Sequence, residues 1–270
     1  MHETEKPVEY ISVGGNGAPE RRIAVISTVG NGDAKAPCIV WLGGYRSDMT
    51  GTKAVALEAH AQSIGADFIR FDYSGHGRSS GHYTEGTISL WLEESLAVID
   101  TYAPGRKLVL VGSSMGGWIA LRVVEELRKR GEGGRLAGLV LIAPAPDFTK
   151  ELIEPALTDR ERQSLEEKGY FEEPSEYSDE PNRYTKALID DGRNNLVMSE
   201  LVDTGCPVHI LQGMKDPDVP YRHAVKLMEK IVGDDTILTL IRDGDHRLSR
   251  PQDIERICDA VSVMTQTAKI

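Results

Sequence analysis

The residues best suited to covalent chemistry in this 270-residue chain form a Gly-x-Ser-x-Gly motif at 112–116, with Ser114 at its centre. The motif follows an apolar strand candidate, 108–111, and runs into a helix candidate, 115–130. So tight a strand-to-helix turn strains the backbone at its central serine, and flanking glycines let neighbouring backbone come close. Ser113 lacks this glycine spacing. The pattern therefore predicts that Ser114 is a nucleophile exposed above a sheet.

A nucleophilic serine needs a general base and a carboxylate that orients the base. His246 lies in a polar turn just after the apolar run 236–241, and Asp216 follows the apolar run 208–212. Both are therefore expected on loops that leave strands, where sheets of this kind place their ligands. Asp218, two residues further along the same loop, remains open as the alternative acid.

Two backbone N–H groups are needed to stabilise the oxyanion of an acyl-transfer reaction. We assign one to Met115, which directly follows Ser114. We assign the other to Tyr45, because Gly43 and Gly44 before it allow a sharp turn after an apolar strand candidate. Loss of one such donor lowers turnover about a hundredfold or more.

The elements that must position these residues alternate between short apolar runs and amphipathic helices, which predicts an α/β fold with a mostly parallel sheet covered on both faces. Helices are expected to end at Gly65, to begin after Thr87, and to begin with a capping box of Ser249 and Gln252. We expect one domain over 1–270. The strand candidates are 23–27, 38–42, 67–71, 108–111, 139–143, 208–212 and 236–241.

The segment 146–195 interrupts this alternation. Residues 147–191 hold 14 acidic residues against 6 Lys or Arg, so most of the formal net charge of −11 lies there. Prolines and glycines divide the segment into short helical pieces. We therefore expect a lid insertion that covers the substrate. Trp118 and Phe148 are the predicted apolar contacts for the substrate.

Composition excludes several other classes of function. The acidic balance argues against binding to nucleic acid or to anionic membranes. No run is long enough to span a bilayer, and residues 1–10 lack the character of a targeting peptide. Cys38, Cys206 and Cys258 cannot all pair, so buried thiols in a reducing cytoplasm are expected. No histidine pair has the spacing of a zinc site, and we predict neither metal nor cofactor.

A resemblance to a known family is carried by residues 42–54, 69–75, 111–118, 212–216 and 245–247. With them, most of the chain resembles one branch of the α/β hydrolases, which contains a mitochondrial palmitoyl-protein thioesterase that is also an acyl-glucuronide esterase. The resemblance implies an α/β-hydrolase fold and a catalytic triad at the positions of Ser114, Asp216 and His246, in the chain order nucleophile, acid, histidine.

The sequence thus predicts a serine hydrolase that cleaves acyl thioesters or carboxylic esters through an acyl-enzyme, including long palmitoyl-type thioesters. A broad small-molecule carboxylesterase or acyl-glucuronide esterase is the alternative within enzymes. A ligand-binding or scaffolding protein that keeps the fold without turnover is the alternative outside them. Acyl chain length, the physiological substrate and the oligomeric state remain open.

Overall fold

The apolar runs of the sequence form most of one large sheet in a computed structural model of the protein. The structure describes residues 6–15, 18–32, 36–174, 180–233 and 235–267, and two further small sheets lie among them. The strands are β1 (Glu9–Gly15), β2 (Ala18–Thr28), β3 (Cys38–Leu42), β4 (Phe68–Phe71), β5 (Leu108–Ser113), β6 (Leu136–Ile142), β7 (Tyr170–Glu173), β8 (Asn182–Thr185), β9 (Val202–Asp203), β10 (Val208–Gly213), β11 (Ile231–Val232) and β12 (Thr236–Ile241).

Within the described residues, eight strands form the large sheet, in the order β1-β2-β4-β3-β5-β6-β10-β12. Neighbours from β4 to β12 are parallel, and β2 and β1 add an antiparallel edge. Strands β3, β5 and β6 are buried throughout, as expected for parallel strands that are covered on both faces. The predicted mostly parallel sheet is confirmed. Strand β1 escaped prediction because most of its residues are exposed and its apolar residues are interrupted by Ser12 and two glycines.

Helices cover both faces of the sheet and enclose two apolar layers. One layer contains Trp91 and Trp118, and the other contains Leu57 and Ile257. The helices are α1 (Thr52–Ser63), α2 (Ile88–Tyr102), α3 (Met115–Lys129), α4 (Glu154–Ala156), α5 (Asp159–Lys168), α6 (Lys186–Arg193), α7 (Tyr221–Lys230) and α8 (Pro251–Thr267).

The ends of these helices test the predicted caps. Thr87 caps α2, since its hydroxyl accepts the N–H of Leu90 at 3.3 Å. The capping box predicted from Ser249 and Gln252 is wrong. Helix α8 begins at Pro251, whose fixed φ suits a first helical position. The Ser249 hydroxyl instead donates to the carbonyl oxygen of Arg247, at 3.0 Å.

Residues 146–195 leave the sheet after β6 and contain α4, α5, the β7–β8 hairpin and α6. We call this segment the 146–195 insertion; its residues 175–179 lie outside the described part of the chain. Hydrogen bonds fix both of its ends, one to the segment that follows it and the other to α3. The buried carboxylate of Asp147 accepts the N–H groups of Val197 and Met198, and the Trp118 indole donates to the carbonyl oxygen of Asn195 at 2.9 Å.

Candidate active site

Ser114 lies at the turn between β5 and α3, and its backbone φ is positive. Its φ is 54°, a value that residues other than glycine rarely adopt, and this matches the strain that the motif predicts. Nearby glycines make the turn possible. A Cβ on Gly116 would lie 2.0 Å from the carbonyl oxygen of Leu42, and one on Gly112 would lie 2.4 Å from that of Gly116. Larger residues would push the serine out of place.

His246 and Asp216 lie on the loops that follow β12 and β10, at the same edge of the sheet as Ser114. Nε2 of His246 is 3.1 Å from Oγ of Ser114, and Nδ1 is 2.8 Å from Oδ2 of Asp216. Because a carboxylate only accepts hydrogen bonds, Nδ1 carries the ring hydrogen and Nε2 is free to accept one. The structure thus brings the three predicted residues into one hydrogen-bonded series.

The loops that carry Asp216 and His246 are held together by a close contact at Gly213. A Cβ on this glycine would lie 2.5 Å from the carbonyl oxygens of Gly244 and Asp245. Both oxygens belong to backbone, which cannot move aside as a flexible side chain can. The contact therefore fixes the separation between the carboxylate and the imidazole.

Asp216, rather than Asp218, faces the imidazole, and its side chain is fully buried. Its Oδ1 accepts the backbone N–H groups of Asp218 and Val219 at 2.9 and 2.8 Å, and Oδ2 also accepts from the Gln212 amide at 3.0 Å. Oxygens of the two aspartates and a ring nitrogen of His246 lie within 4.8 Å of one another. The three N–H donors hold the Asp216 carboxylate in position against the imidazole.

The two predicted oxyanion donors flank Ser114. Met115 is the first residue of α3, and Gly44, just before Tyr45, packs so closely that a Cβ there would lie 3.4 Å from the Cβ of Ser114. In the part of the chain that the structure describes, the backbone N–H groups of Tyr45 and Met115 have no protein acceptor. Both groups are thus available to an oxygen bound beside Ser114.

A cavity of about 780 Å³ opens at Ser114. Part of its wall is apolar and includes Phe148, Leu152 and Ile153 from the 146–195 insertion. Trp118 is not in this wall, which corrects the prediction that it contacts the substrate. Its ring is fully buried behind Phe148, edge-on at 5.5 Å between centroids. Trp118 can therefore support Phe148 without reaching the cavity.

Another part of the cavity wall is polar and contains a lysine that the sequence did not lead us to expect. Lys53 lies in the first turn of α1, and its ammonium donates to the carbonyl oxygen of Arg247, which also lines the cavity. Burial, together with the nearby Arg247 charge, lowers the pKa of Lys53 to about 8. A lysine at a helix N-terminus opposes the helix dipole, and that mismatch is the sequence signal for it.

Comparison with known proteins shows which family the chain belongs to. Residues 39–259 match the model of the alpha/beta hydrolase family. The chain belongs to the α/β hydrolases. A mitochondrial palmitoyl-protein thioesterase of Mus musculus, ABHD10, is 36% identical over 223 residues, which are 82% of this chain and 72% of that protein. This agrees with the expected resemblance, and the protein is a hydrolase.

Solved structures of similar hydrolases have the same fold as this chain. A putative hydrolase from Agrobacterium vitis S4 is 59% identical, with a TM-score of 0.92 over 96% of this chain and 100% of that one. The mouse alpha/beta hydrolase domain-containing protein 10 is 31% identical, with a TM-score of 0.81 over 96% and 98% of the two chains. These relatives do not support the alternative of a scaffold without turnover.

The predicted cytoplasmic location is wrong by the same comparison. Relatives from mouse, cattle and human are all named as mitochondrial proteins. The thiols of Cys38, Cys206 and Cys258 are indeed unpaired in this hydrolase. Unpaired thiols indicate a reducing compartment without identifying which one, and the prediction failed at that step. None of the described helices is both long and apolar enough to cross a membrane.

Proposed function

We propose that this hydrolase cleaves acyl thioesters through an acyl-enzyme formed on Ser114. The observation that carries the proposal is the hydrogen-bonded series from Ser114 through His246 to Asp216, beside the Tyr45 and Met115 N–H groups, which have no acceptor among the described residues. The names of the relatives, which are palmitoyl-protein thioesterases, support the thioester as the substrate bond.

In the proposed first step, Ser114 Oγ attacks the thioester carbonyl while Nε2 of His246 takes its proton. Asp216 holds the ring tautomer and stabilises the imidazolium that forms. The N–H groups of Tyr45 and Met115 receive the negative charge that develops on the carbonyl oxygen. The carbon–sulfur bond then breaks, and His246 returns the proton to the departing sulfur.

In the second step, water attacks the acyl group on Ser114, and His246 acts as the base again. Collapse of this second tetrahedral intermediate releases the carboxylic acid and restores the serine hydroxyl. Each step begins and ends with His246 neutral, so one imidazole serves both. The reaction requires no metal or cofactor, and we keep the prediction that none takes part.

We further propose that the 146–195 insertion is the lid of a single-domain enzyme and binds the acyl group. Its side chains Phe148, Leu152, Ile153 and Ala156 line the apolar side of the cavity. Burying an acyl chain there stabilises the complex by about 0.8 kcal/mol per CH₂ group. Rates should therefore depend on chain length until the apolar wall is filled.

A second candidate is an esterase for substrates with an anionic leaving group, such as acyl glucuronides. Three cationic side chains in the cavity wall favour it, those of Arg46, Lys53 and Arg247. Their charges would attract a carboxylate on the leaving group. The carboxylates of Asp48, Glu173 and Asp218 also line the cavity and oppose them. The two candidates share the acyl-enzyme and differ in the group that leaves.

The discriminating experiment is steady-state hydrolysis of matched thioesters and oxygen esters from acetyl to palmitoyl, with Ser114→Ala protein as the blank. A rise of kcat/KM toward long thioesters supports the first candidate. A preference for short oxygen esters with anionic leaving groups supports the second. Absence of turnover above the blank for every substrate would contradict both.

A further inference from the structure

The loop that carries the proposed oxyanion donor Tyr45 is held from beneath by a buried histidine. Arg46, the next residue, has a φ of 58°, which is strained for a residue with a side chain. Its N–H donates to Nε2 of His76 at 3.0 Å. A backbone conformation of this cost persists only where its surroundings fix it, and this hydrogen bond is one such restraint.

His76 is suited to this restraint only as a neutral imidazole of one tautomer. Its Nδ1 lies 3.1 Å from the carbonyl oxygen of Ser74, which can only accept, so the ring hydrogen is on Nδ1 and Nε2 accepts. The ring is 4% exposed and lies edge-on to Tyr45, Tyr73 and Trp91. Close packing therefore fixes the ring where the Arg46 N–H needs an acceptor.

The same loop is also held by contacts with the 146–195 insertion. The Tyr45 hydroxyl donates to the carbonyl oxygen of Arg183 at 2.5 Å, and its ring stacks on Tyr184. The Arg46 guanidinium donates to the carbonyl oxygen of Pro181 at 2.8 Å and to the side chain of Asn182 at 3.1 Å. Two consecutive residues thus direct their side chains to the proposed lid, while the Arg46 N–H points to His76.

We propose that His76 is a positioning residue for the oxyanion site: by accepting the Arg46 N–H it holds the Tyr45 N–H in place beneath the lid. The inference rests on the proposed role of Ser114 as nucleophile. It predicts that His76 contributes to the stabilisation of the tetrahedral intermediate and not to binding of the ground-state ester. Burial lowers the pKa of His76, which keeps its ring in the accepting form.

The test compares His76→Gln, whose amide oxygen can replace Nε2 as an acceptor, with His76→Phe, which keeps a planar ring of somewhat larger size and loses the acceptor. We expect His76→Phe to lower kcat about 10-fold to 100-fold, with little change in KM. This decrease is no larger than the one that follows removal of an oxyanion donor. His76→Gln should restore most of the rate. His82→Gln is the matched control, because His82 lies on the same turn, is exposed and bonds Thr84; it should retain wild-type kcat.

Two further readouts separate positioning from a general structural role. The inhibition constant of a trifluoromethyl ketone, which mimics the tetrahedral intermediate, should rise in His76→Phe by the same factor as kcat/KM falls. The rate of labelling by a fluorophosphonate should fall in parallel and needs no knowledge of the natural substrate. Equal losses in His76→Gln and His76→Phe, or an unchanged inhibition constant, would overturn the proposal.

The pH profile gives an independent readout. Protonation of His76 would place a donor opposite the Arg46 N–H. Wild-type activity should therefore show an additional decrease as pH falls below the ordinary histidine pKa of 6.5. His76→Gln should lack that additional decrease. Arg46 lowers the His76 pKa and Asp48 raises it, and the phenols of Tyr45 and Tyr73 pack against the ring. An identical acid limb in both proteins would contradict the proposal.

The outcomes for His76 and for the proposed function remain distinguishable. If wild-type protein is labelled by the fluorophosphonate but hydrolyses no thioester, the proposed substrate is wrong, and the labelling rates still test His76. If Ser114→Ala is labelled as fast as wild type, the nucleophile is wrong and the inference falls with it. If His76→Phe does not fold, the comparison moves to His76→Asn, whose shorter amide cannot reach the Nε2 position, and we expect His76→Asn to be slower than His76→Gln.

Discussion

The sheet with its covering helices and the 146–195 insertion differ in how their charged pairs are buried. Arg70 of β4 pairs with Glu58 of α1 at 2.8 Å, and both side chains are less than 10% exposed. In the insertion, Arg193 pairs with Glu154 at 3.0 Å and Lys186 with Glu166 at 3.0 Å, with exposed lysine and arginine side chains. Exposed pairs contribute little to stability, whereas breaking a buried pair is costly.

This contrast suggests a division of roles: the loops position the reacting groups, and the insertion contacts the substrate. The loops of Ser114, Asp216 and His246 are fixed by glycine contacts to backbone, so their geometry follows from the sheet itself. The insertion supplies Phe148, Leu152 and Ile153 to the cavity wall, and its outer surface carries exposed ion pairs. Substitutions at the sheet edge should therefore change rates far more than substitutions on the surface of the insertion.

The largest effect is expected from Ser114→Ala. Removal of the nucleophile should lower kcat by about 10⁶-fold and abolish labelling by a fluorophosphonate. The thermal midpoint should stay nearly unchanged, because the lost hydroxyl is not part of the core. Ser113→Ala, one residue away, is the control and should keep kcat within about tenfold of wild type. Labelling that persists in Ser114→Ala would contradict the assignment.

Asp216→Asn should have the next largest effect. The amide cannot hold the His246 ring in the required tautomer, so kcat should fall by about 10⁴-fold. Asp218→Asn should cost far less, because that side chain is exposed and the contact of residue 218 with Asp216 uses its backbone N–H. Steady-state kinetics of the two variants would settle which carboxylate acts. A larger loss in Asp218→Asn would reverse the choice.

Much of the fold and of the candidate site could be predicted, because the signals were local. Runs of apolar residues predicted β3, β5, β6, β10 and β12 to within a few residues. The chemistry of Ser114, Asp216 and His246 followed from residue types placed just after those runs, and their order along the chain did not depend on knowing any distance.

The parts that escaped prediction depend on contacts between distant residues. The β7–β8 hairpin lies in a charged segment, and it is positioned by Tyr45 and Arg46, more than 130 residues earlier in the chain. Trp118 was expected at the cavity because an aromatic residue near the nucleophile suits an acyl chain. Its position behind Phe148 depends on how the insertion packs, and helical spacing carries no such information.

Gly213→Ala tests whether the sheet-edge loops are as tightly packed as they appear. The added methyl would meet the backbone oxygens of Gly244 and Asp245, and overpacking of this kind lowers the free energy of unfolding by about 1–3 kcal/mol. Activity should fall as the two loops separate. Gly134→Ala is the control, since nothing lies within 4 Å of a Cβ there. Urea unfolding of both variants measures the difference, and equal stabilities would contradict the account.

Lys53 gives a smaller, pH-dependent effect on substrate choice. Its pKa of about 8 means that it is charged below that pH and loses its charge above it. The preference for an anionic over a neutral leaving group should therefore fall by roughly tenfold as pH rises through 8. The measurement is kcat/KM for a matched ester pair from pH 6.5 to 9.5. Lys53→Gln should show a low preference at every pH, and a preference in that variant that equals wild type would exclude Lys53.

The smallest effect is expected at the surface of the insertion. Arg193→Gln breaks exposed ion pairs with Glu154 and Asp190, at 3.0 and 2.6 Å, and should change the free energy of unfolding by less than about 1 kcal/mol. Calorimetry and steady-state kinetics would check both stability and rate. A large loss of either would show that these surface ion pairs matter as much as the contacts of the loops that carry Ser114, Asp216 and His246.

The most direct test of the central claim is to trap the covalent intermediate. Wild-type protein would be mixed with a palmitoyl thioester, quenched in acid within one turnover and analysed by intact-protein and peptide mass spectrometry. The account predicts one added acyl group, located on the peptide that contains Ser114, and none in Ser114→Ala. Turnover without any acyl adduct, or an adduct on Cys38, Cys206 or Cys258 that forms at the rate of catalysis, would contradict it.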